Sequence, residues 1–330
     1  MALFRCTYSQ GSGGYTLTVT TDSSLSGATV TATDGTTTLT STFTSSSPYT
    51  AEFSIPNGGT WTITSGTASQ NVTVPSSVEI HNTPTGSSAT PTDNIQTWLH
   101  CASIWDKNYT TIAAVLADTT TLLALISDNN AVDYMVRSTS WASNVTANST
   151  AMTYIGNNNY CANKLLSNST WCAAICNSTY YENVLKVKVP TMTGYSSPSG
   201  QVRASYSYSN NYAWQAFNGI EYPDWDTYGQ ASAGQWIEYV FPSAVAIHRV
   251  MVHAHASYLG LMPKTVKIQA SSDGNTYTDM LTNQSRSKIT GDQVLAPITS
   301  MSKYRYWRLY VSEGWSNEVL IGYMNFYGRS

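Results

Sequence analysis

A ten-residue repeat runs through the middle of the chain, from residue 106 to residue 185. The third residue of each ten is a good helix N-cap: Asn108, Asp118, Asp128, Ser138, Asn148, Asn158, Asn168 and Ser178. The tenth is apolar throughout: Val115, Leu125, Met135, Val145, Ile155, Leu165, Ile175 and Leu185. The seventh is apolar except at Glu182. A cap followed by apolar residues four and seven positions later predicts a helix of about two turns.

Ten residues are not a whole number of α-helical turns. A continuous helix would rotate its apolar positions by about 80° per repeat, so it could not keep them on one face. We therefore predict stacked short helices, each burying its apolar stripe against its neighbours. The alternative is a bundle in which two or three repeats fuse into longer helices, for example between Ile112 and Ile126.

The N-terminal part alternates apolar and polar residues, as in Tyr15-Thr-Leu-Thr-Val-Thr and Trp61-Thr-Ile-Thr. Turn-forming residues recur at Asp34-Gly35, at residues 56–59 and at Ser65-Gly66. Short alternating strands separated by such turns predict a small β-sandwich. The segment resembles Ig-like and carboxypeptidase-regulatory-like sandwiches. The Pro-, Gly- and Ser-containing stretch that follows, residues 84–95, is predicted to be a linker.

The C-terminal part contains alternating runs rich in Val, Ile, Tyr and Trp, which are typical of half-buried strands. They lie at 235–241, 246–252, 265–272, 304–311 and 325–328, and Asp273-Gly274 suits a tight turn. In their order and spacing these runs resemble the discoidin (coagulation factor 5/8 type C) family of galactose-binding-like β-sandwiches. The resemblance covers about residues 196–330. It implies a jelly-roll domain that recognises a surface sugar.

The fold class predicted for the whole chain is multidomain and mainly β. An Ig-like β-sandwich at 1–83, a candidate virion attachment domain, precedes the linker at 84–95. A spacer of stacked short helices follows at 96–189, and a discoidin-like β-sandwich closes the chain at 190–330.

In the sugar-binding relatives the ligand lies across loops at one end of the sandwich. The resemblance places those loops here at 206–212, 255–263 and 313–318. Each offers an aromatic ring, which can stack on the C–H face of a sugar, together with polar groups for its hydroxyls. The candidate carbohydrate-binding residues are Trp315, Asn317, His255, Tyr258, Tyr206 and Tyr208. Trp315 is the candidate stacking platform if it is exposed rather than packed under its loop, and Tyr206 and Tyr208 would share one face of a strand.

A calcium loop is a weaker expectation. Relatives carry a structural Ca²⁺ near the positions of Asn218, Asp224 and Asp226. Here Asn218 stands where the family has Asp, and Tyr323 stands where an acidic residue is usual. Because Ca²⁺ prefers several charged oxygen ligands, these departures argue against the metal. We expect no cofactor.

Composition excludes several functions. Only 11% of the residues are charged and the net charge is −3, which argues against nucleic-acid binding. No apolar run is long enough to insert into a membrane, and we expect no signal peptide. The close carboxylate pairs, Asp224/Asp226 and Glu313/Glu318, lie in no recognisable catalytic motif, so we expect no enzyme.

The central aromatic segments also resemble spacer regions of tailed-phage virion proteins, for example around Trp141 and Trp171. We therefore predict a virion surface protein (a tail fibre, baseplate or capsid decoration subunit) that is assembled in the host cytoplasm and presents its C-terminal domain to host glycans. Its partners would be a host-surface glycan, other virion proteins and further copies of itself, for example in a trimer. One alternative is a purely structural virion subunit. The other is a bacterial surface adhesin or accessory carbohydrate-binding protein.

Overall fold

The computed structural model describes residues 4–11, 14–56, 58–74, 94–104 and 106–330, and is mainly β with several short helices. The chain forms two compact units. The first holds an N-terminal β-sandwich, and the second, which contains residues 109–330, holds the helices and another sandwich. The predicted linker at 84–95 lies almost entirely outside the described residues. Within them, no helix is long and apolar enough to cross a lipid bilayer.

The first unit consists of two antiparallel sheets that share one core. Its strands are β1 (Arg5–Gly11), β2 (Gly14–Thr21), β3 (Thr29–Thr33), β4 (Thr38–Thr42), β5 (Tyr49–Ile55), β6 (Gly59–Ser65) and β7 (Ala68–Val74). One sheet has the order β1-β2-β5 and the other β4-β3-β6-β7. Leu17 and Val19 of the first sheet and Trp61 and Ile63 of the second are fully buried. The alternation in the sequence therefore marks the inward face of each strand.

The Asp34-Gly35 signal forms the turn between β3 and β4. Gly35 has a φ of 92°, a backbone conformation that favours glycine. The Asp34 carboxylate accepts hydrogen bonds from the backbone N–H groups of Thr36 and Thr37 at 2.8 and 2.6 Å. The turn is thus held by its own side chain, as expected of an Asp-Gly pair.

Short helices fill the segment between the two sandwiches. They are α1 (Ile95–Cys101), α2 (Ile112–Ala117), α3 (Thr119–Ser127), α4 (Asn129–Met135), α5 (Ala142–Thr146), α6 (Ser149–Asn157), α7 (Asn159–Ser167), α8 (Ser169–Asn177) and α9 (Tyr181–Val184). The apolar tenth residues of the repeat, from Val115 to Leu185, are all buried. This periodic stripe is therefore the core of the helical segment.

Most of the predicted caps start a helix. A side-chain oxygen accepts a backbone N–H in the first turn at Asp118, Asp128, Asn148, Asn158 and Asn168. The prediction at Asn108 is wrong, because α2 begins at Ile112 and is capped by Thr111. Ser178 also differs, since Tyr180 is the residue that precedes α9. Ser138 precedes a 3₁₀ turn, Thr139–Trp141, that leads into α5.

Four of these caps, Asp118, Asp128, Asn158 and Asn168, also end the preceding helix. Asp118, for example, has φ and ψ of −89° and 92°, which is extended backbone, and is the C-cap of α2 and the N-cap of α3. A single non-helical residue therefore separates these two helices. The alternative of one fused helix between Ile112 and Ile126 is wrong.

The helices stack with a period of three. Each of α2 to α6 contacts the third helix after it: α2 with α5, α3 with α6, α4 with α7, α5 with α8, and α6 with α9. Side chains connect successive layers, because the Asn158 amide donates to the carbonyl of Ile126 at 2.8 Å and the Ser178 hydroxyl donates to that of Thr146 at 2.5 Å. One turn of the stack thus takes three helices, or about thirty residues.

The second sandwich is built around one long strand. Its strands are β8 (Val187–Lys188), β9 (Gln201–Ala204), β10 (Trp225–Asp226), β11 (Trp236–Ala254), β12 (Pro263–Ser271), β13 (Thr278–Ser285), β14 (Gly291–Val294), β15 (Tyr304–Gly314), β16 (Leu320–Ile321) and β17 (Tyr323–Arg329). The first half of β11 pairs with β9 and β15, and its second half with β14 and β17. Strand β11 therefore passes from one sheet to the other, and both sheets share one apolar core. Strand β8, which pairs with β17, lies before the predicted boundary at residue 190.

Buried arginines join the helices to this sandwich, and we call Arg249, Arg329, Tyr181 and Tyr327 the helix–sandwich junction. Arg329 donates to the carbonyls of Gly156 and Val184 at 3.2 and 2.7 Å and to the side chain of Asn159 at 2.8 Å. The Arg249 guanidinium lies 3.9 Å from the centre of the Tyr181 ring. The helical and C-terminal domains predicted from the sequence therefore share a buried polar interface within one unit.

Candidate functional site

The candidate loops come together at one end of the second sandwich, through a further loop at 220–235. The Tyr208 ring lies 4.8 Å from that of Tyr228. Asn211 donates to the Asp224 carboxylate at 2.9 Å, and Thr227 donates its backbone N–H to the carbonyl of Val319 at 2.9 Å. We call the loops 205–212, 220–235, 255–262, 286–290 and 315–319 the loop end.

Trp315 is an exposed aromatic ring, with 41% of its surface accessible. The Lys264 ammonium lies 5.2 Å and the Lys288 ammonium 5.9 Å from the ring centre. We call these three residues the Trp315 surface. The ring is open to solvent and flanked by hydrogen-bond donors, so it can stack against a ligand while the ammonium groups contact the ligand's oxygens.

Gly314 fixes the loop that carries Trp315. A Cβ atom at this position would lie 2.6 Å from the Cβ of Ser232 and 2.8 Å from the carbonyl oxygen of Ser316. Such distances are too short for any larger residue. The absence of a side chain therefore lets the 315–319 loop approach the 220–235 loop.

His255, a candidate carbohydrate-binding residue, is only 9% exposed. Its Nδ1 accepts the backbone N–H of Ser257 at 3.1 Å and lies 3.4 Å from a carboxylate oxygen of Glu221. Its Nε2 lies 3.9 Å from an oxygen of Asp224. Tyr258 is the accessible residue of this loop, and its ring lies 4.8 Å from that of His255. His255 thus supports the loop, while Tyr258 can reach a ligand.

Burial changes the acid–base behaviour beside His255. Desolvation raises the pKa of Asp224 to about 6, although the neighbouring charge of His255 opposes the shift. Desolvation also raises the pKa of Asp226, and hydrogen bonds from the backbone of Tyr228 and Thr227 oppose that shift. These carboxylates lie under the loop end rather than on its surface.

Tyr206 and Tyr208 are partly exposed, but they are not strand residues. Strand β9 ends at Ala204, and both tyrosines lie in the loop that follows it. Their predicted common orientation along a strand is therefore wrong. The loop is held by its backbone, since the Tyr206 carbonyl accepts the Trp225 indole N–H at 2.7 Å and Tyr208 donates its N–H to the Asp226 carbonyl at 2.9 Å.

Asn317 lines an open groove of about 630 Å³. The other lining residues are Tyr228, Gly229, Gln230, Ala231 and Glu318. Burial raises the pKa of the Glu318 carboxyl, and the charge of Asp226 adds to the shift. Aromatic and acidic residues are visible in the sequence of the 220–235 loop, but nothing in the sequence predicts that this loop faces Asn317. Lys264 and Lys288, far apart in the sequence, could not be assigned to Trp315 at all.

The candidate calcium residues are occupied by other hydrogen bonds. Asn218 accepts the N–H of Ile220 at 2.8 Å and donates to the carbonyl of Pro223 at 3.1 Å. Asp226 accepts the N–H of Tyr228 at 2.9 Å. Among the residues that the structure describes, no three His, Cys, Asp or Glu side chains are grouped to bind a metal ion. The side chains of Asn218 and Asp226 therefore hold the backbone of their own loop.

Solved structures similar to this chain are family 32 carbohydrate-binding modules and F5/8 type C domains. The CBM32-1 module of a family 31 glycoside hydrolase from Clostridium perfringens is 16% identical, with a TM-score of 0.34, and the match covers 38% of this chain and 93% of that one. The family 32 module of NanJ from C. perfringens, solved with galactose, is 14% identical with a TM-score of 0.34, over 39% and 93%. An F5/8 type C domain from Bacteroides fragilis is 19% identical with a TM-score of 0.33, over 40% and 92%. No family model matches the sequence, and no curated protein does.

Proposed function

We propose that the loop end of the second sandwich binds a glycan, with Trp315 as the stacking platform. The observation that carries this proposal is a large aromatic ring that is exposed and surrounded by polar groups. A sugar presents a C–H face and a rim of hydroxyls, which match such a ring and the donors beside it. Tyr258, Tyr206, Tyr208 and Asn317 are the further contacts that we propose.

A glycan array probed with the full chain tests this proposal. We expect selective binding that Trp315→Ala reduces at least tenfold, because one buried aromatic contact contributes about 1.5 kcal/mol or more. Tyr180→Ala is the matched control, since Tyr180 is an exposed aromatic residue of the helical segment. Absence of binding by the folded wild-type protein, or equal loss in both variants, would overturn the proposal.

We propose no catalytic role for the acidic residues of the loop end. Asp224 and Asp226 are buried, and Glu313 is held by Lys264 at 2.6 Å, so neither close pair offers two free carboxylates to a substrate. Mass spectrometry of a bound oligosaccharide after prolonged incubation is expected to show no shorter products. Cleavage products would contradict this expectation.

The wider role that we propose is that of a virion surface protein presenting this glycan site. Its support is the sequence alone: the repeat spacer, the weakly charged composition and the C-terminal resemblance. Immunogold electron microscopy of phage particles with an antibody against the chain is expected to label the particle surface. A label confined to bacterial cell surfaces would favour the adhesin alternative. A labelled particle with no glycan binding would favour a purely structural subunit.

A further inference from the structure

The Trp315 surface is assembled from separate parts of the chain. Lys264 lies near the start of β12, Lys288 in the loop between β13 and β14, and Trp315 in the loop after β15. Gly260 brings the 255–262 loop to the same place, because a Cβ atom there would lie 3.9 Å from the Lys288 ammonium. Both ammonium groups thus lie over the Trp315 ring, and that of Lys288 is next to the loop that carries Tyr258.

The charges on this surface do not cancel. Lys264 forms an ion pair with Glu313 at 2.6 Å, and this contact lowers the pKa of Glu313, which therefore stays ionised at neutral pH. Within the described part of the chain, Lys288 has no ion-pair partner. The surroundings of Trp315 therefore carry two positive charges and one negative charge.

Building on the proposed glycan site, we infer that the Trp315 surface selects sugars that carry an acidic group. An anionic sugar stacked on Trp315 would place its carboxylate or phosphate within reach of Lys288 and Lys264, whose ammonium groups lie over the ring. Each ammonium offers three donors on a flexible stem, which suits a charged oxygen without demanding one fixed geometry.

Affinity measurements with the full chain and three polymers test this inference. Polygalacturonate supplies carboxylates, poly(glycerol phosphate) supplies phosphates, and a neutral galactan supplies neither. We expect the wild type to bind at least one acidic polymer about tenfold more tightly than the galactan, and raising the salt from about 0.05 to about 0.5 M should remove most of that difference. Which acidic polymer binds identifies the source of the acidic group.

Variants of Lys264 and Lys288 test whether the positive charge of these residues, rather than the shape of the site, causes the preference for acidic polymers. The double change Lys264→Gln and Lys288→Gln should weaken binding of the acidic polymer about tenfold more than it weakens binding of the galactan. Lys288→Arg should retain acidic binding, because it keeps the charge. Lys303→Gln is the matched control, because Lys303 is an exposed lysine just before the opposite end of β15.

The outcomes distinguish this inference from the glycan site on which it rests. Binding of the galactan that depends on Trp315, with no preference for acid and no effect of the lysines, would keep the site and overturn the selectivity. Acidic binding that survives the double variant would also overturn it. Failure of the folded wild type to bind any of the polymers or any arrayed glycan would overturn both.

Discussion

Among the places in the second unit where a cation lies over an aromatic ring are the helix–sandwich junction and the Trp315 surface. At the junction the Arg249 guanidinium is 3.9 Å from the Tyr181 ring and is buried, and at the surface the Lys264 ammonium is 5.2 Å from the exposed Trp315 ring. A buried donor without a partner costs free energy, and at the junction Arg329 donates to two backbone carbonyls and Arg249 donates its Nε–H to a third, that of Cys176. At the Trp315 surface, by contrast, Lys288 and the remaining donors of Lys264 face water, which a ligand can replace. The same pair of chemical groups therefore serves stability in one place and is suited to recognition in the other.

The largest loss of stability is expected for Gly156→Ala, at a residue whose carbonyl accepts a hydrogen bond from Arg329 of the junction. An alanine in an ordinary helix interior stabilises by up to about 1 kcal/mol relative to glycine. Here a Cβ atom would lie 1.8 Å from the carbonyl oxygen of Asn183, so α6 and α9 would have to separate. We expect the free energy of unfolding to fall by about 3 kcal/mol or more in urea titrations. Asn163→Ala, on the exposed face of α7, is the control, and equal stability of the two variants would contradict the close packing.

Removing a buried cation should have the next largest effect. Arg329→Met would leave the carbonyls of Gly156 and Val184 without donors, at a cost of about 3 kcal/mol in unfolding free energy. Lys288→Met, which removes an exposed cation, should change stability by less than about 0.5 kcal/mol. Chemical denaturation of both variants checks the difference. Similar losses of unfolding free energy in the two variants would contradict the contrast between the buried junction and the exposed Trp315 surface.

The helix caps should contribute less than the junction. Asn158→Ala removes a cap to Cys161 and the donation to Ile126, so we expect a loss of about 2 kcal/mol. Asn158→Asp keeps the cap and removes only the donation, so it should lose about half as much. Thermal unfolding checks the difference. If Asn158→Asp loses as much stability as Asn158→Ala, the whole effect comes from the hydrogen bond to Ile126 and none from the cap.

A smaller effect should appear as a pH dependence at the loop end. The folded-state pKa of Asp224 is about 6, above its ordinary value of 3.8, so the folded protein holds this proton more tightly than the unfolded chain does. Its contribution to stability is therefore present below pH 4 and is lost as the pH rises through 6. Urea unfolding at pH 4.5 and 7.5 should show the wild type losing stability relative to Asp224→Asn at the higher pH. A constant difference between the two proteins would contradict the shift.

The smallest effect on stability is expected at the exposed ring. Trp315→Ala should change the free energy of unfolding by less than about 0.5 kcal/mol, because much of the ring is already in water. Calorimetry of the full chain would measure it. A loss above about 2 kcal/mol would show that Trp315 is a packing residue and that its exposure is not available for recognition.

Local features of the fold could be predicted from the sequence, because they depend on neighbouring residues. The caps at Asp118, Asp128, Asn148, Asn158 and Asn168 bond to their own first turns, so their pattern is visible in a short window. Asn108 fits the same pattern, but the N-cap of α2 is Thr111, which stands closer to the helix start. The ten-residue pattern therefore predicts that a repeat is present, but it does not predict which helix is the first to follow it.

The candidate site depends on contacts between residues that are far apart in the chain. Such contacts could be predicted less well from the sequence. Trp315 could be proposed as exposed because it lies outside any alternating run. His255 lies in a loop with aromatic neighbours, but its burial comes from Glu221 and Asp224, which only the fold brings near. Lys288 reaches Trp315 across two strands in the same way. Long-range side-chain contacts of this kind leave no periodic trace in a single sequence.

The period-three stack of helices sets how the length of this protein can change. One ten-residue repeat advances the chain by a third of a turn, so inserting or deleting a single repeat would rotate everything beyond it by about 120°. Three repeats complete the turn. A change of thirty residues would therefore move the second sandwich along the stack axis and leave its orientation as it was. Related chains whose spacers differ in length should differ by multiples of thirty residues wherever the direction of the loop end matters.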